Sequence, residues 1–395
     1  MKRLAHLLRR GALLLCAALL TSCVLSLPQH PRPEPSARAD VLLATERGMR
    51  SIVFDASHGY LSLSNTSSAG TLVLRTGSVV NSASVWRPVD LQECALGPAR
   101  GADALRSPAL ARLEGKIYLI QPIFSNAKEH SLCQLERAME WFAPRDQALR
   151  VCTGLYCERL WMSEVQATRG VLLSDAGGGS NVLASMDDGR NWRALLGSVE
   201  NAACTHGAFR IVGNRLLTGG ACPLDSAFLR SYVLAPDGVS LNSTEPLPLV
   251  LPALENRHVQ FIREAGGSVF AGVAGGMLRS TDGVRSFQYV IRQPQGAPHY
   301  PIIGSLLALR NRPAVLLAAG FDQASGKPYL ALSRNGGGRW SDLSTSLRGY
   351  QRPGFEGVTQ VTSLVQDPLG RILLTLNLDQ DARGRLVLLT LAGVD

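Results

Sequence analysis

An eight-residue motif recurs along the chain and constrains its fold more than any other feature. The best copy runs from Ser185 to Trp192 and reads Ser-x-Asp-x-Gly-x-x-Trp, between two short apolar runs. Ser185 and Asp187 can hydrogen-bond the backbone of a tight turn, and Gly189 can take the positive φ that such a turn needs. Trp192 can then fold back over the hairpin and bury a large apolar area. The motif therefore predicts a β-hairpin that is capped by its own side chains.

Two further copies follow in altered form. The second keeps Ser280, Asp282 and an aromatic side chain at Phe287, but it has Val284 where the pattern has glycine. The third keeps serine, glycine and tryptophan and replaces aspartate by asparagine, at Ser333, Asn335, Gly337 and Trp340.

The spacing of the copies indicates a repeat. Ser280 and Ser333 are 53 residues apart, and Ser185 and Ser280 are 95 residues apart, so one unit without the motif should lie between the first two copies. The stretch Phe228–Gly238 fits that unit. Elsewhere the chain shows short apolar runs bounded by Gly, Asn, Asp and Ser, which are typical of strands. Units of roughly 40–55 residues with four short strands each indicate an all-β propeller.

The motif resembles the Asp-box, or BNR repeat, of sialidases and other β-propellers. The resemblance implies a propeller of four-stranded blades over residues 41–395, with the box residues stabilising turns on the outer rim; calcium binding at Asp187–Asp188 is the alternative. Counting third strands predicts seven blades, with six and eight as alternatives. The segment Val41–Phe54 is expected to supply a strand that closes the ring with the last blade, because closure removes free sheet edges.

The first 22 residues are typical of a secretion signal. Lys2, Arg3 and two later arginines precede the apolar run Gly11–Leu20, and Leu-Thr-Ser-Cys closes it at Cys23. This ending resembles the lipobox of bacterial lipoproteins, which implies cleavage before Cys23 and its lipidation. An ordinary signal peptide with an incidental cysteine is the alternative. Val24 resembles an outer-membrane sorting signal, so we expect a protein anchored to the outer membrane and facing the periplasm, with exposure at the cell surface as the alternative.

Residues 23–40 are expected to form a lipidated tether. They contain four prolines together with Ser, Arg and Gln, and such a segment cannot pack into a core. The lipid would anchor the chain to the membrane without spanning it.

The charge of the chain argues against nucleic acid as a partner. Without the four bases of the leader, 36 basic and 31 acidic side chains remain, and the sequence has no Lys/Arg run and no basic helix.

Six cysteines remain when Cys16 and Cys23 are set aside, and an even number in an exported chain indicates disulfides. They are Cys94, Cys133, Cys152, Cys157, Cys204 and Cys222. Six cysteines allow fifteen pairings. Cys204 and Cys222 flank the two ends of one predicted hairpin and could pair. Cys94 and Cys133 bracket another hairpin more loosely, and Cys152 and Cys157 share a loop. A zinc site is the rival interpretation, but the sequence has no close Cys-x-x-Cys pair.

No motif for a cofactor, a metal or a nucleophilic serine is present in the sequence, so no cofactor is expected. Three histidines, His206, His258 and His299, lie near the starts of first strands, where propeller loops face the mouth of the ring. Structural histidines are the alternative interpretation. A binding rim is predicted from polar and aromatic residues of such loops: Arg257, His258, His299, Tyr300, Asp322, Tyr350, Arg352 and Asp381.

Two functions from different classes fit these observations. The first is a binding or scaffold module in the bacterial envelope, with a protein or glycan partner. The second is a sialidase-like glycoside hydrolase or carbohydrate-binding protein. The sialidase resemblance also implies a Phe-Arg-Ile-Pro stretch, but the match here, Phe209–Val212, ends in valine and is typical of a core strand. Sialidase chemistry needs three arginines around a carboxylate and a Tyr–Glu pair, and no such arginine triad can be assigned from the sequence.

Overall fold

The chain forms antiparallel sheets throughout its described part. The computed structural model describes residues 33–63, 72–89, 109–113, 116–121, 131–135, 141–142, 165–168, 171–176, 181–186, 193–196, 204–222, 226–254, 258–273, 275–292, 301–323, 325–350, 359–378 and 383–394. The helical element among these residues is a short 3-10 helix, Ser344–Tyr350. None of the described residues belongs to a helix that is long and apolar enough to cross a membrane.

The described strands group into seven sheets, six of four strands and one of three. Sheet 1 contains β2 Met49–Phe54, β3 His58–Leu63, β4 Leu72–Gly77 and β5 Arg87–Pro88. Sheet 2 contains β6 Ala109–Leu113, β7 Lys116–Gln121, β8 Ser131–Leu135 and β9 Trp141–Phe142. Sheet 3 contains β10 Val165–Thr168, β11 Val171–Ala176, β12 Asn181–Ser185 and β13 Arg193–Ala194. Sheet 4 contains β14 Thr205–Val212, β15 Arg215–Cys222 and β16 Ser226–Val233. Sheet 5 contains β17 Val259–Ala265, β18 Ser268–Val273, β19 Gly276–Ser280 and β20 Gln288–Arg292. Sheet 6 contains β21 Pro301–Leu309, β22 Arg312–Asp322, β23 Pro328–Ser333 and β24 Ser341–Asp342. Sheet 7 contains β25 Gln360–Gln366, β26 Ile372–Leu378, β27 Arg383–Ala392 and the N-terminal strand β1 Ser36–Thr45.

The sheets are arranged as a closed ring. Their first strands, which we call the inner strands, contact one another in chain order, and β25 of sheet 7 contacts β2 of sheet 1. Separate apolar cores fill the spaces between neighbouring sheets; Leu217 and Ile262, for example, pack between sheets 4 and 5. The predicted all-β propeller fold is confirmed. The seven sheets are counted over the described residues, and the number of blades stays a prediction.

Sheet 7 is completed by the N-terminal strand. β1 pairs antiparallel with β27, from Ser36 opposite Ala392 to Thr45 opposite Gly384. The closing strand therefore begins inside the segment expected to be a tether, and Met49–Phe54 is instead the inner strand of sheet 1. The physical reason is that Ala37 and Ala39 pack against the core between sheets 6 and 7, while β1 covers the open edge of β27.

Some glycines of the second strands allow neighbouring sheets to approach closely. A Cβ atom on Gly219 would lie 2.5 Å from Cγ1 of Val259, and one on Gly272 would lie 2.8 Å from the carbonyl oxygen of Ile303. Both contacts are with the inner strand of the next sheet. Glycine at these two positions therefore lets the second strand of one sheet pack closely against the inner strand of the next.

The ring has two different ends. In an antiparallel meander the turns after the first and third strands of each sheet lie on the same side. We call this end the turn face; it carries the motif turns Ser280–Phe287 and Ser333–Trp340. The opposite end, where the inner strands begin and the second strands end, is the mouth face. It includes His206, His258 and Asp322.

Candidate functional site

The second copy of the motif forms a self-bonded turn on the turn face. Ser280 Oγ accepts a hydrogen bond from the backbone N–H of Val284 over 3.1 Å. Asp282 Oδ1 accepts from the N–H groups of Arg285 and Ser286 over 3.0 and 3.1 Å. The hydroxyl of Ser286 donates to Asp282 Oδ2, and these hydrogen bonds hold the pKa of the Asp282 carboxyl well below its usual range.

The third copy repeats the arrangement with asparagine. Ser333 Oγ accepts from the N–H of Gly337 over 2.8 Å, and Asn335 Oδ1 accepts from the N–H of Arg339 over 2.9 Å. Trp340 Nε1 donates back to the carbonyl oxygen of Gly337 over 3.0 Å. All of these bonds lie within the turn, so the polar side chains serve the turn itself.

One position of the motif has the same backbone in both copies. Gly337 has φ of 89°, and Val284, which stands where the pattern has glycine, has φ of 61°. Valine rarely adopts this left-handed region, but its side chain is buried in the core between sheets 4 and 5, which offsets the backbone strain. In the first copy Ser185 is buried, whereas Asp187, Gly189 and Trp192 lie outside the described residues.

Sheet 4 has a related turn at the end of the stretch Phe228–Gly238, which the sequence assigns to a unit without the motif. Asp237 Oδ1 accepts from the N–H groups of Val239 and Ser240 over 2.9 and 2.7 Å. Arg193 of sheet 3 donates to Asp237 Oδ2 over 3.3 Å. The Asp-Gly pair at 237–238 is itself a turn signal and could have located this turn without the full motif.

Five inner strands carry a β-bulge near the mouth face, each within the first five residues of the strand. A bulge leaves one residue out of the ladder and redirects its side chain, and bulges are frequent next to binding sites. The residues left out are Arg50, Gly207, Gln260, Gly304 and Thr362. The side chain of Arg50 is exposed there. Sequence patterns alone did not reveal these bulges.

His206 precedes one of these bulges and is a buried structural residue. The corresponding residues of the other four inner strands are buried and apolar: Met49, Val259, Ile303 and Val361. His206 is 3% exposed, and its ring meets the ring of Phe228 edge-on at 5.0 Å between centroids. Burial, with the charge of Arg230 as a second cause, lowers the pKa of His206 to about 4. The imidazole is therefore neutral near pH 7 and does not offer a charged group to a ligand.

The mouth-face ends of β14 and β15 are joined covalently beside His206. Cys204 and Cys222 form a disulfide, with 2.03 Å between the sulfur atoms, as predicted from their places at the two ends of one hairpin. His258, from the next sheet, packs with Nε2 against the backbone of Gly207, where a Cβ atom would collide with it. Cys94, Cys152 and Cys157 lie outside the described residues, as does the side chain of Cys133.

The mouth loop of sheet 6 is ordered by Asp322. Its Oδ1 accepts hydrogen bonds from the N–H and the hydroxyl of Ser325, over 2.8 and 2.7 Å. The carbonyl oxygen of Gly326 then accepts from the N–H of Thr359, at the start of sheet 7, over 2.8 Å. Asp322 therefore shapes a loop that is joined to the next sheet, and Lys327 stands exposed at its end.

The predicted rim is described only in part. His258 and Asp322 lie on the mouth face, and Tyr350 ends the 3-10 helix, although its side chain lies outside the description. The other predicted rim residues also lie outside the described part: Arg257, His299, Tyr300, Arg352 and Asp381.

Within the described part of the chain, the inner strands contain no tyrosine, the residue that sialidase chemistry uses as its nucleophile. Phe209 and Ile211 are buried, so Phe209–Val212 is a core strand, and Arg210 between them lies 3.7 Å from the carboxylate of Glu264 on the next inner strand. Over the described residues, no three His, Cys, Asp or Glu side chains group as metal ligands would.

Comparison with known proteins agrees with the ring architecture. No family model and no curated protein matches the sequence. Among solved structures, the chain is similar to YCF48 bound to a D1 peptide, with a TM-score of 0.53 and 13% identity over 89% of this chain and 94% of that chain. YCF48 from Cyanidioschyzon merolae has a TM-score of 0.52 and 13% identity, over 89% of this chain and 98% of that chain. The N-terminal domain of Nup159 has a TM-score of 0.50 and 9% identity, over 90% and 96% of the two chains. At these identities the likeness shows the β-propeller fold alone.

Proposed function

We propose that this protein is a lipid-anchored β-propeller of the Asp-box type that binds a protein partner of the bacterial envelope through its mouth face. The observation that carries the proposal is the bonding between neighbouring mouth loops, in which Gly326 of sheet 6 holds Thr359 of sheet 7. The disulfide between Cys204 and Cys222 joins the mouth-face ends of two strands of sheet 4. The described part of the mouth face, held in this way, loses little conformational entropy on binding, which favours affinity.

The exposed charged side chains of the mouth face are suited to contact a polar surface of a partner protein. Arg50 projects at a bulge of sheet 1 and Lys327 at the loop end of sheet 6, and both side chains are exposed. Arginine is enriched in protein interfaces. The YCF48 structure, which is similar in fold, is described as bound to a peptide, and this supports a protein partner over a glycan.

The lipid anchor is inferred from the leader sequence and from Cys23. Lipidation there would hold the ring at the membrane, and the residue after it favours the outer membrane facing the periplasm. A sialidase-like hydrolase is the weaker candidate, because the described inner strands supply no tyrosine for its nucleophile.

The proposal can be tested by affinity capture from crosslinked envelopes. The wild-type protein is compared with a mouth variant, Arg50→Ala with Lys327→Ala, and with a matched turn-face variant, Arg285→Ala with Arg339→Ala. We expect one main partner protein, recovered equally with wild type and the turn-face variant and at least about tenfold less with the mouth variant, since two interface contacts of more than ~1 kcal/mol each are removed. Equal recovery with all three proteins would overturn the proposal.

A further inference from the structure

Both ends of the described chain meet at one arginine of the turn face. Arg334, which follows Ser333 in the third motif turn, donates to the carbonyl oxygen of Pro33 over 3.3 Å and to that of Gly393 over 2.9 Å. A Cβ atom on Gly393 would lie 2.9 Å from the carbonyl oxygen of Glu34. The chain therefore enters the ring on the turn face, and β1 runs from there towards the mouth face.

The entry point limits how the ring can face a bilayer. Pro33 is ten positions after Cys23, and such a length spans at most roughly 35 Å when fully extended. A lipid on Cys23 would thus keep the turn face close to the membrane and the mouth face away from it.

Large apolar side chains are exposed mainly on the turn face. The described residues include six of them: Val41, Val79, Val85, Met186, Val250 and Leu369. All but Val41 lie in turns of this face or directly beside one. Leu369, in the turn between β25 and β26, is 64% exposed. Val250 exchanges backbone hydrogen bonds with Arg285 and Phe287 of the second motif turn.

Exposed arginines lie on the same face as these apolar residues. Exposed arginines occupy the turns of sheets 5 and 6, at Arg285, Arg310, Arg312 and Arg339. Arg310 donates to the carbonyl oxygen of Gln366 over 2.8 Å, at the end of β25 from which the turn with Leu369 begins.

The acids of these sheets neutralise the arginines only in part. Asp367 is fully buried and bonded to Arg371, and Glu264 lies 3.7 Å from Arg210. Asp282, Asp342 and the exposed Glu34, which precedes β1 on the turn face, are the remaining described acids in the turns of sheets 5 to 7. The turns of sheets 5 to 7 thus combine excess positive charge with exposed apolar side chains.

We propose that the turn face docks onto an anionic phospholipid bilayer, with its arginines at the headgroups and Leu369 and Val250 at the acyl boundary. Basic and apolar groups on one surface are the combination that binds membrane interfaces. The orientation relative to the lipid anchor rests on the proposed function; the docking surface itself does not. The mouth face then points away from the bilayer that the turn face contacts.

Vesicle co-sedimentation tests the docking without the lipid anchor. Every described strand lies within 36–392 and the ring is closed, so a chain of residues 24–395 keeps the whole fold and can be used unlipidated. Vesicles of phosphatidylcholine alone are compared with vesicles that also contain phosphatidylglycerol. We expect binding to the anionic vesicles only, weakened by added salt.

Matched variants locate the surface, after thermal unfolding has shown that each is folded. Arg285→Gln with Arg339→Gln should lower the partition coefficient about 25-fold, since each arginine near an anionic surface contributes about fivefold, and Leu369→Ser should lower it further. The controls Arg50→Gln, on the mouth face, and Val41→Ser, on the outer strand, should leave it unchanged. Binding to neither vesicle, equal binding to both, or a loss caused by Arg50→Gln would overturn the docking. Such a result would overturn only the membrane docking, because the capture of a protein partner by the mouth face is measured separately.

Discussion

The hydroxyl of Thr362 donates a hydrogen bond to the carbonyl oxygen of Met49 over 2.6 Å. These residues are 313 positions apart and belong to the inner strands of the last and first sheets. Thr362 Oγ1 also lies 2.8 Å from the hydroxyl of Thr375 on β26. The ring is therefore closed twice, by the pairing of β1 at the outer edge of sheet 7 and by this contact at the inner edge.

Removing the disulfide should destabilise sheet 4. Chain-entropy models assign roughly 3 kcal/mol to a loop of the size closed by Cys204 and Cys222. We expect the Cys204→Ala, Cys222→Ala variant to lose about that much unfolding free energy in denaturant titrations. Peptide mapping without reductant should recover the Cys204–Cys222 pair, and a crosslink of Cys204 to Cys152 or Cys157 would contradict the register of this sheet.

His206 should make the stability depend on pH. Its folded pKa of about 4 lies below the unfolded value near 6.5, so the unfolded chain takes up the proton first as the pH falls. Stability is then unaffected above pH 6.5 and is lost progressively down to about pH 4, by roughly 3 kcal/mol. His206→Met, which copies Met49 of sheet 1, should remove this loss. Parallel stability–pH curves for variant and wild type would refute the assignment.

The aromatic residues of the turn motif should differ in their effect on stability. Phe287 is 2% exposed, and Phe287→Ala should cost roughly 3–5 kcal/mol in thermal unfolding. Trp340 is only partly buried, and its truncation should cost less. The sequence predicts that Trp192→Ala is more damaging than Phe287→Ala, because the first copy keeps all four motif positions. Near-zero effects at all three positions would remove the motif as a structural element.

Cys23 should carry the lipid. Cys23→Ala is expected to abolish incorporation of labelled fatty acid, because the thioether can no longer form, while the envelope fraction of wild-type protein carries the label. An acylated Cys23→Ala protein would contradict the lipobox assignment.

The propeller fold and the disulfide followed from the sequence because both depend on local patterns that recur. Turn residues such as Ser280 and Asp282 bond within their own turn, and Cys204 and Cys222 lie at the open end of a single hairpin, β14–β15. Other features depend on distant neighbours and were not predicted. The sequence predicted a closing strand within Val41–Phe54 but not its first half, Ser36–Asp40, because the apolar side chains there are only the small Ala37 and Ala39 and the partner β27 is at the other end of the chain. The burial of His206 could not be predicted from the sequence. It follows from the position of His206 directly before a bulge, where other inner strands have the buried Met49 and Val259.

Site-specific photo-crosslinking in cells tests the central claim, that the mouth face binds a protein partner, most directly. A photoreactive amino acid replaces Lys327 on the mouth face or, as the matched control, Arg339 on the turn face, and adducts are separated by size and identified. We predict one discrete protein adduct from position 327 and no protein adduct from position 339. The same adduct from both positions, or protein adducts from position 339 alone, would contradict the account.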